Sequence, residues 1–161
     1  MPFPLTALLL ALGGPQPRVI PGPVQAEITP AAIGTSLWLA QKQGTALAPS
    51  LQGKPVVVDI YASWCPACRS IEPTLRSLRK QKAGKVNFVT FDVSDADQLK
   101  KSRERARSLG LGPFLEANRS QTSLVAVLDP ATGTTVQTFR ANSNESAYIT
   151  AIKKAQMMLK P

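Results

Sequence analysis

The segment DIYASWCPACRSIEP, residues 59–73, contains both cysteines of this 161-residue chain. Cys65 and Cys68 stand three positions apart, with a tryptophan before them and a Pro-Ala dipeptide between them. Three kinds of site use this spacing: part of a metal site, a structural disulfide, and a cysteine pair that is reversibly oxidised. The flanking residues and the composition of the chain help to distinguish them.

The two cysteines follow a predicted strand and open a predicted helix. Residues 54–62, KPVVVDIYA, form an apolar run rich in β-branched residues, which is typical of a strand buried on both faces. After the cysteines, Ile71, Leu75 and Leu78 recur at helical spacing. Cys65 is therefore expected at the N-terminus of a helix, where free backbone N–H groups and the helix dipole stabilise a thiolate.

Metal binding and a purely structural disulfide fit this chain less well. Zinc needs four ligands, and a chain with two cysteines and no histidine cannot supply them alone. A disulfide that closes a four-residue loop removes little entropy from the unfolded chain, so it stabilises the fold weakly. A redox-active disulfide between Cys65 and Cys68 is favoured. The absence of histidine also excludes hydrolases that use a histidine base.

The hydrophobic periodicity of the sequence predicts one α/β domain that extends on both sides of the cysteine motif. The predicted order is α-β-α-β-α-β-β-α, a mixed sheet flanked by helices on both faces. Strands separated by helices are expected to be parallel, and a final hairpin adds an antiparallel strand. A strand of similar character to the first precedes a helix with a capping-box-like start at Ser94–Asp97 and an end near Gly110. The remaining predicted segments are a helix over 28–44, that second strand over 85–93, a loop over 111–121 with at most one helical turn, strands over 122–129 and 134–140, and a helix over 143–160.

The first 26 residues differ from the rest. Leu5–Leu12 is a short apolar run, too short to span a bilayer, and a Pro/Gly-rich stretch follows it. Val24 and Ala26 occupy the −3 and −1 positions of a small-residue cleavage site. The start, MPFP, has no basic side chain, so a disordered tail is the alternative to a signal peptide. We divide the chain into this segment, 1–26, and one domain, 27–161, and favour export.

The chain has a net charge of +9, and positive charge gathers in the predicted helix at residues 99–108, LKKSRERARS. No aromatic residues interleave these charges, and no nucleic-acid-binding motif surrounds them. A solvated helix face therefore explains them better than a phosphate-binding strip. We expect no nucleic-acid partner.

These motifs resemble the thioredoxin superfamily over about residues 47–159. GKPVVVDIYASWCPACRSIEP and KVNFVTFDVSD look most like exported or membrane-associated thioredoxin-like proteins of cyanobacteria and chloroplast thylakoids. The resemblance implies that Cys65 is the nucleophile and Cys68 the resolving cysteine. It also implies that Asp59 is a buried carboxylate that takes the proton of Cys68. Thr90 stands where some thioredoxins have a lysine that pairs with this aspartate.

The resemblance also implies a substrate groove beside the cysteines, lined by Trp64, Pro66, Ala67 and Thr122. Thr122 stands where the family has a cis-proline. Because a non-proline cis bond costs about 2.5–4 kcal/mol, we expect a trans peptide there. This departure puts the shape of the groove in question.

The expected function is that of a protein-disulfide reductase working by thiol–disulfide exchange, without a cofactor or a metal and as a monomer. The resemblance implies a periplasmic or thylakoid-lumen protein that receives electrons from a membrane thiol donor. It would pass them to protein disulfides, apocytochrome c among them, and so serve cytochrome maturation. Two alternatives remain open on the same cysteines: a thiol oxidant or isomerase, and a module without redox turnover. The latter would be a metal- or iron–sulfur-binding pair shared by two chains, or an assembly factor.

Overall fold

The described part of the chain forms a four-stranded sheet with its two longest helices against one face. In this computed structural model we describe residues 45–159; the predicted segment 1–26 and the predicted helix over 28–44 lie outside them. The strands are β1 (Val56–Tyr61), β2 (Asn87–Asp92), β3 (Leu124–Leu128) and β4 (Thr135–Arg140). The helices are α1 (Pro66–Gln81), α2 (Ala96–Ser108), α3 (Gly112–Asn118) and α4 (Glu145–Met158), preceded by a 3₁₀ turn at Pro49–Leu51.

The strand order is β2-β1-β3-β4. β1 is one of the two inner strands, and the cysteines follow it in the chain. β1 and β2 are parallel, β3 is antiparallel to β1, and β4 is antiparallel to β3. The prediction that β3 is parallel to the first two strands is therefore wrong. A single crossover helix returns the chain to the end of the sheet where a parallel strand begins. Here two helices, α2 and α3, lead the chain to the opposite end, so that Leu124 pairs with Ile60 near the end of β1.

Alternation along β1 divides the core into two layers. Val56, Val58 and Ile60 pack with residues of α2 and α3. Val57 packs on the other face, with residues of α1 and α4. The predicted fold class, an α/β domain with a mixed sheet and helices on both faces, is confirmed. Because side chains two apart share a face, Asp59 points to the same side of the sheet as Val57, toward α1.

Three local predictions need correction. β2 is not buried on both faces as β1 is: Val89 and Phe91 are buried and the other four residues of the strand are half-buried, as suits the outer position of β2 among the described strands. Ser94 does not cap α2; the Asp95 carboxylate does, by accepting a hydrogen bond from the Gln98 N–H at 2.8 Å. The predicted loop over 111–121 contains a helix, α3, because Leu111 and Leu115 bury one of its faces.

Within residues 45–159 the other predicted elements are present, and α1 has the predicted apolar face: Ile71, Leu75 and Leu78 are each at most 1% exposed. Among residues 45–159, none of the helices has both the length and the apolar character needed to cross a bilayer. The peptide bonds between described residues are all trans, as expected for Thr122.

Candidate active site

The cysteine pair lies where β1 passes into α1. Cys65 is the N-cap of α1, with an extended backbone at φ −85° and ψ 110°. Pro66 follows as the first helical residue, where its missing N–H costs no hydrogen bond. The N–H of Cys68 donates to Cys65 Sγ at 3.1 Å. The prediction that the first cysteine lies at a helix N-terminus is confirmed, and its sulfur itself caps the helix.

The two thiols are free and in direct contact. Cys68 Sγ donates to Cys65 Sγ, and the two sulfurs are 2.6 Å apart. Cys65 is 4% exposed and Cys68 is 2% exposed, and both pack against Ala62. Oxidation to a disulfide would therefore require little movement of either side chain.

The two thiols differ in their acidity. Burial acts to raise the pKa of Cys65, but hydrogen bonds from the side chains of Cys68 and Thr122 and from backbone N–H groups outweigh it, and the pKa is lowered. Burial first, and then the hydrogen bond to Cys65, raise the pKa of Cys68 to about 11. This asymmetry means that Cys65 ionises first and that Cys68 holds its proton until a base removes it.

Asp59 is a buried carboxyl group on β1, and its pKa is raised to about 6. Burial is the largest cause, the positive charge of Arg79 lowers the pKa, and the negative charge of Glu72 raises it. Cys68 Sγ lies 3.9 Å from the backbone oxygen of Ile60, the residue that follows Asp59. A carboxyl group with this pKa can change its protonation state near neutral pH, as a proton acceptor must.

Arg79 is one residue of this region that the sequence did not single out. Its Nη2 donates to the Thr90 hydroxyl at 2.9 Å and lies 3.8 Å from Asp59 Oδ2. Its Nη1 lies 3.6 Å from Glu72 Oε1. These four side chains line a groove of about 540 Å³, which we call the Asp59 groove. The sequence signal that could have identified Arg79 was the spacing of Glu72, Arg76 and Arg79, at i, i+4 and i+7 on one side of α1.

Trp64, one of the predicted groove residues, is 60% exposed, yet its position is fixed. Its indole N–H donates to the Ser94 backbone oxygen at 2.9 Å. The Ser94 hydroxyl accepts from the Ser63 N–H at 2.8 Å, and the Asp92 carboxylate accepts from the Ser94 N–H and hydroxyl. Ser94 thus ties the loop before the cysteines to the end of β2, a role that its sequence position before a helix concealed.

The structure places the other predicted groove residues around the cysteine pair, without testing whether they contact a substrate. Pro66 is exposed, and Ala67 and Thr122 are half-buried. Ser123, next to Thr122, has a positive φ of 63°, and its N–H donates to the Ile60 backbone oxygen at 2.9 Å. This backbone bond holds the start of β3 beside the cysteines.

Metal ligands do not cluster around the pair. Within residues 45–159, histidine, cysteine, aspartate and glutamate form no group of three or more that could hold a metal ion. A metal centre on these residues would need ligands from outside this part of the chain.

Comparison with known proteins finds the similarity in the region that contains the cysteine pair. The family model described as Thioredoxin matches residues 42–105, which include both cysteines. The thiol:disulfide interchange protein TxlA homolog of Synechocystis sp. is 36% identical over 63 residues, 38% of this chain and 35% of that protein. The chloroplastic thioredoxin-like protein HCF164 of Arabidopsis thaliana is 44% identical over 43 residues, 27% of this chain and 16% of that protein.

Thioredoxin-1 of Drosophila melanogaster is 35% identical over 66 residues, 41% of this chain and 61% of that protein. Each match therefore spans less than two thirds of the relative's own length. The matched family, the relatives and the strand–cysteine pair–helix arrangement agree. Over residues 42–105 the chain is therefore similar to the thioredoxin family.

Proposed function

We propose that this protein is a thiol–disulfide oxidoreductase whose reacting groups are Cys65 and Cys68. The observation that supports this most directly is the unequal acidity of two thiols 2.6 Å apart. A low pKa on the first thiol supplies an attacking thiolate at neutral pH. A high pKa on the second keeps it from reacting with partners until it is needed.

The proposed reaction starts with attack of the Cys65 thiolate on one sulfur of a partner disulfide. A mixed disulfide forms, and the partner's other sulfur leaves as a thiolate and takes up a proton. Asp59 then accepts the proton of Cys68, and the Cys68 thiolate attacks Cys65 Sγ. The second partner sulfur leaves as a thiolate, so two electrons have passed to the partner and the cysteine pair is a disulfide. An external dithiol must reduce the pair before the next cycle.

Partner binding involves the exposed surface beside the pair, formed by Trp64, Pro66, Ala67 and Thr122. Trp64 offers a large apolar side chain that is already held in place by Ser94, so little side-chain freedom is lost on binding. The half-buried Thr122, two residues before β3, borders Cys65 and stabilises its thiolate.

For the direction of electron flow, we propose that the protein reduces disulfides of other proteins. The proposed compartment lies outside the cytoplasm, in a periplasm or thylakoid lumen. The similarity to a thiol:disulfide interchange protein and to a chloroplastic thioredoxin-like protein supports this, as do the apolar run and cleavage-site pattern near the N-terminus. A membrane thiol donor would then supply electrons, and apocytochrome c would be one substrate.

A redox titration of the full chain in defined thiol buffers, followed by thiol alkylation, tests the proposal. A potential near or below about −250 mV is expected for a reductant. A value between about −180 and −120 mV would indicate an oxidant or isomerase. Cys68→Ser is the control, because it removes the two-electron transition and keeps the first thiol. If the unaltered chain shows no reversible two-electron transition, thiol–disulfide exchange is the wrong function.

A further inference from the structure

We propose that Arg79 is a positioning residue for the exchange reaction: fixed by Thr90 and Glu72, its guanidinium controls how readily Asp59 accepts the proton of Cys68. The inference rests on the thiol–disulfide exchange proposed above and names a residue that acts in its second step. Arg79 touches neither cysteine in the contacts described above, so it acts through Asp59.

The geometry holds the guanidinium beside the carboxylate from three directions. Thr90 is the register partner of Asp59 across β1 and β2, and its hydroxyl accepts from Arg79 Nη2 at 2.9 Å. The same nitrogen lies 3.8 Å from Asp59 Oδ2, while Nη1 lies 3.6 Å from Glu72. The Arg79 side chain is 33% exposed and the Asp59 side chain 6%. A solvated cation is thus held against a buried carboxylate.

The charges around Asp59 come from several elements. Glu72, on the same helix as Arg79, opposes it by raising the pKa of Asp59. From α4, Tyr148 interacts with the Asp59 charge, and its own pKa is raised to about 12, mainly by burial, so it stays neutral at physiological pH. Tyr61 of β1 and Arg69 and Arg76 of α1 also line the groove.

Of these groups, Arg79 is the one that lowers the pKa of Asp59 against the effect of burial. Without this cation, the carboxyl group would hold its proton to higher pH. Cys68 has a pKa of about 11, so its ionisation at neutral pH depends on an acceptor. In the resolving step the proton passes from Cys68 to Asp59, the Cys68 thiolate displaces the partner sulfur from Cys65, and the leaving thiolate takes a proton from water. Arg79 keeps Asp59, the proton acceptor, ionised at the near-neutral pH at which this step must proceed.

Single-turnover resolution of a mixed disulfide isolates this step. The reduced full chain reacts with 5,5′-dithiobis(2-nitrobenzoate): Cys65 releases one thionitrobenzoate, and attack by Cys68 releases the second. The rate of this second release is followed from pH 5 to 9.

An opposite charge near a carboxyl group lowers its pKa by about 1–3, and the lower figure suits a partly solvated arginine. In Arg79→Gln the midpoint of the rate should therefore move up by about one pH unit. The rate should fall about fivefold at pH 6 and about twofold at pH 7, and be unchanged at pH 9.

The other variants separate charge from structure. Arg79→Lys should restore most of the rate at pH 6, and Thr90→Val, which removes the anchoring hydroxyl, should shift the midpoint in the same direction by a smaller amount. Arg76→Gln is the matched control: it removes a cation from the same helix that lies 3.7 Å from Glu72, and the midpoint should stay where it is.

An unmoved midpoint in Arg79→Gln, or an equal loss of rate at every pH, would overturn the proposal, because either result means that Arg79 does not act through a titrating group. In both cases the wild-type chain still releases two equivalents of thionitrobenzoate, so the proposed exchange function stands. If the wild-type chain releases only one, the proposed function fails and this inference with it.

Discussion

Replacing Asp59 with asparagine should make the protein more stable at neutral pH, and the size of the gain can be worked from the pKa. On folding, the pKa of Asp59 rises from 3.8 to about 6, chiefly because of burial. Each pKa unit corresponds to about 1.36 kcal/mol, so ionising this group costs the native state about 3 kcal/mol. The folded state holds this proton more tightly, so the contribution of Asp59 to stability is highest below pH 4, falls as the pH rises to about 6, and is then level. Asparagine cannot ionise and escapes this loss.

The assay is urea denaturation of the reduced wild-type and Asp59→Asn chains at several values between pH 3 and 8. The difference between the two free energies of unfolding cancels the titration of the other groups, and it should grow by about 3 kcal/mol in favour of the variant across this range. Glu104→Gln removes an exposed carboxylate from α2 and controls for the loss of one negative charge. A difference that stays flat from pH 3 to 8 would refute the idea that a buried, ionising carboxyl group sits at this position.

Three further predictions test other parts of the site and fold. Iodoacetamide should alkylate Cys65 at a pH below that of an ordinary thiol and leave Cys68 largely unmodified up to about pH 10, since the pKa of the latter is about 11; peptide mapping would show equal labelling if this asymmetry were absent. Ser94→Ala should cost about 1 kcal/mol and lower the hydrogen-exchange protection of the Ser63 amide, and unchanged protection would argue against the bond between them. Leu115→Ala should cost about 2–5 kcal/mol in urea denaturation, because this side chain of α3 is fully buried; a loss below about 1 kcal/mol would mean that α3 is not part of the core.

The parts of the site that the sequence predicted are those fixed by near neighbours in the chain. Cys65 and Cys68 share one helical turn, so their contact follows from their spacing once α1 is predicted. The orientation of Asp59 follows from alternation along β1. Arg79 and Ser94 could not be assigned in the same way, because their partners belong to other elements. Thr90 comes to Arg79 through strand pairing, and Ser63 comes to Ser94 across the ends of two strands.

The same distinction, between contacts of near neighbours in the chain and contacts of distant elements, explains which parts of the fold could be predicted. Strand and helix positions were largely predictable from local hydrophobic periods, and the fold class followed from their order. The direction of β3 was not, because it depends on how many helices lie between it and β2. α3 was missed as a full helix because its seven residues include glycine and proline near the start. Burial of Leu111 and Leu115 against the sheet outweighs these weak local preferences.

The stability and the proposed chemistry of this site make opposite demands on Asp59. Burial raises its pKa to about 6, which makes the carboxylate a stronger base for the Cys68 proton and also destabilises the fold wherever it is ionised. A cation held at 3.8 Å reduces that destabilisation, but a buried lysine or arginine would itself require desolvation. Arg79 avoids this because its guanidinium stays one-third exposed while Thr90 and Glu72 hold it in position. Removing Arg79 should therefore both slow resolution near pH 6 and lower stability above that pH, whereas removing Asp59 should slow resolution and raise stability. Opposite effects on stability with the same effect on rate would be hard to explain unless the two residues act on one ionisation.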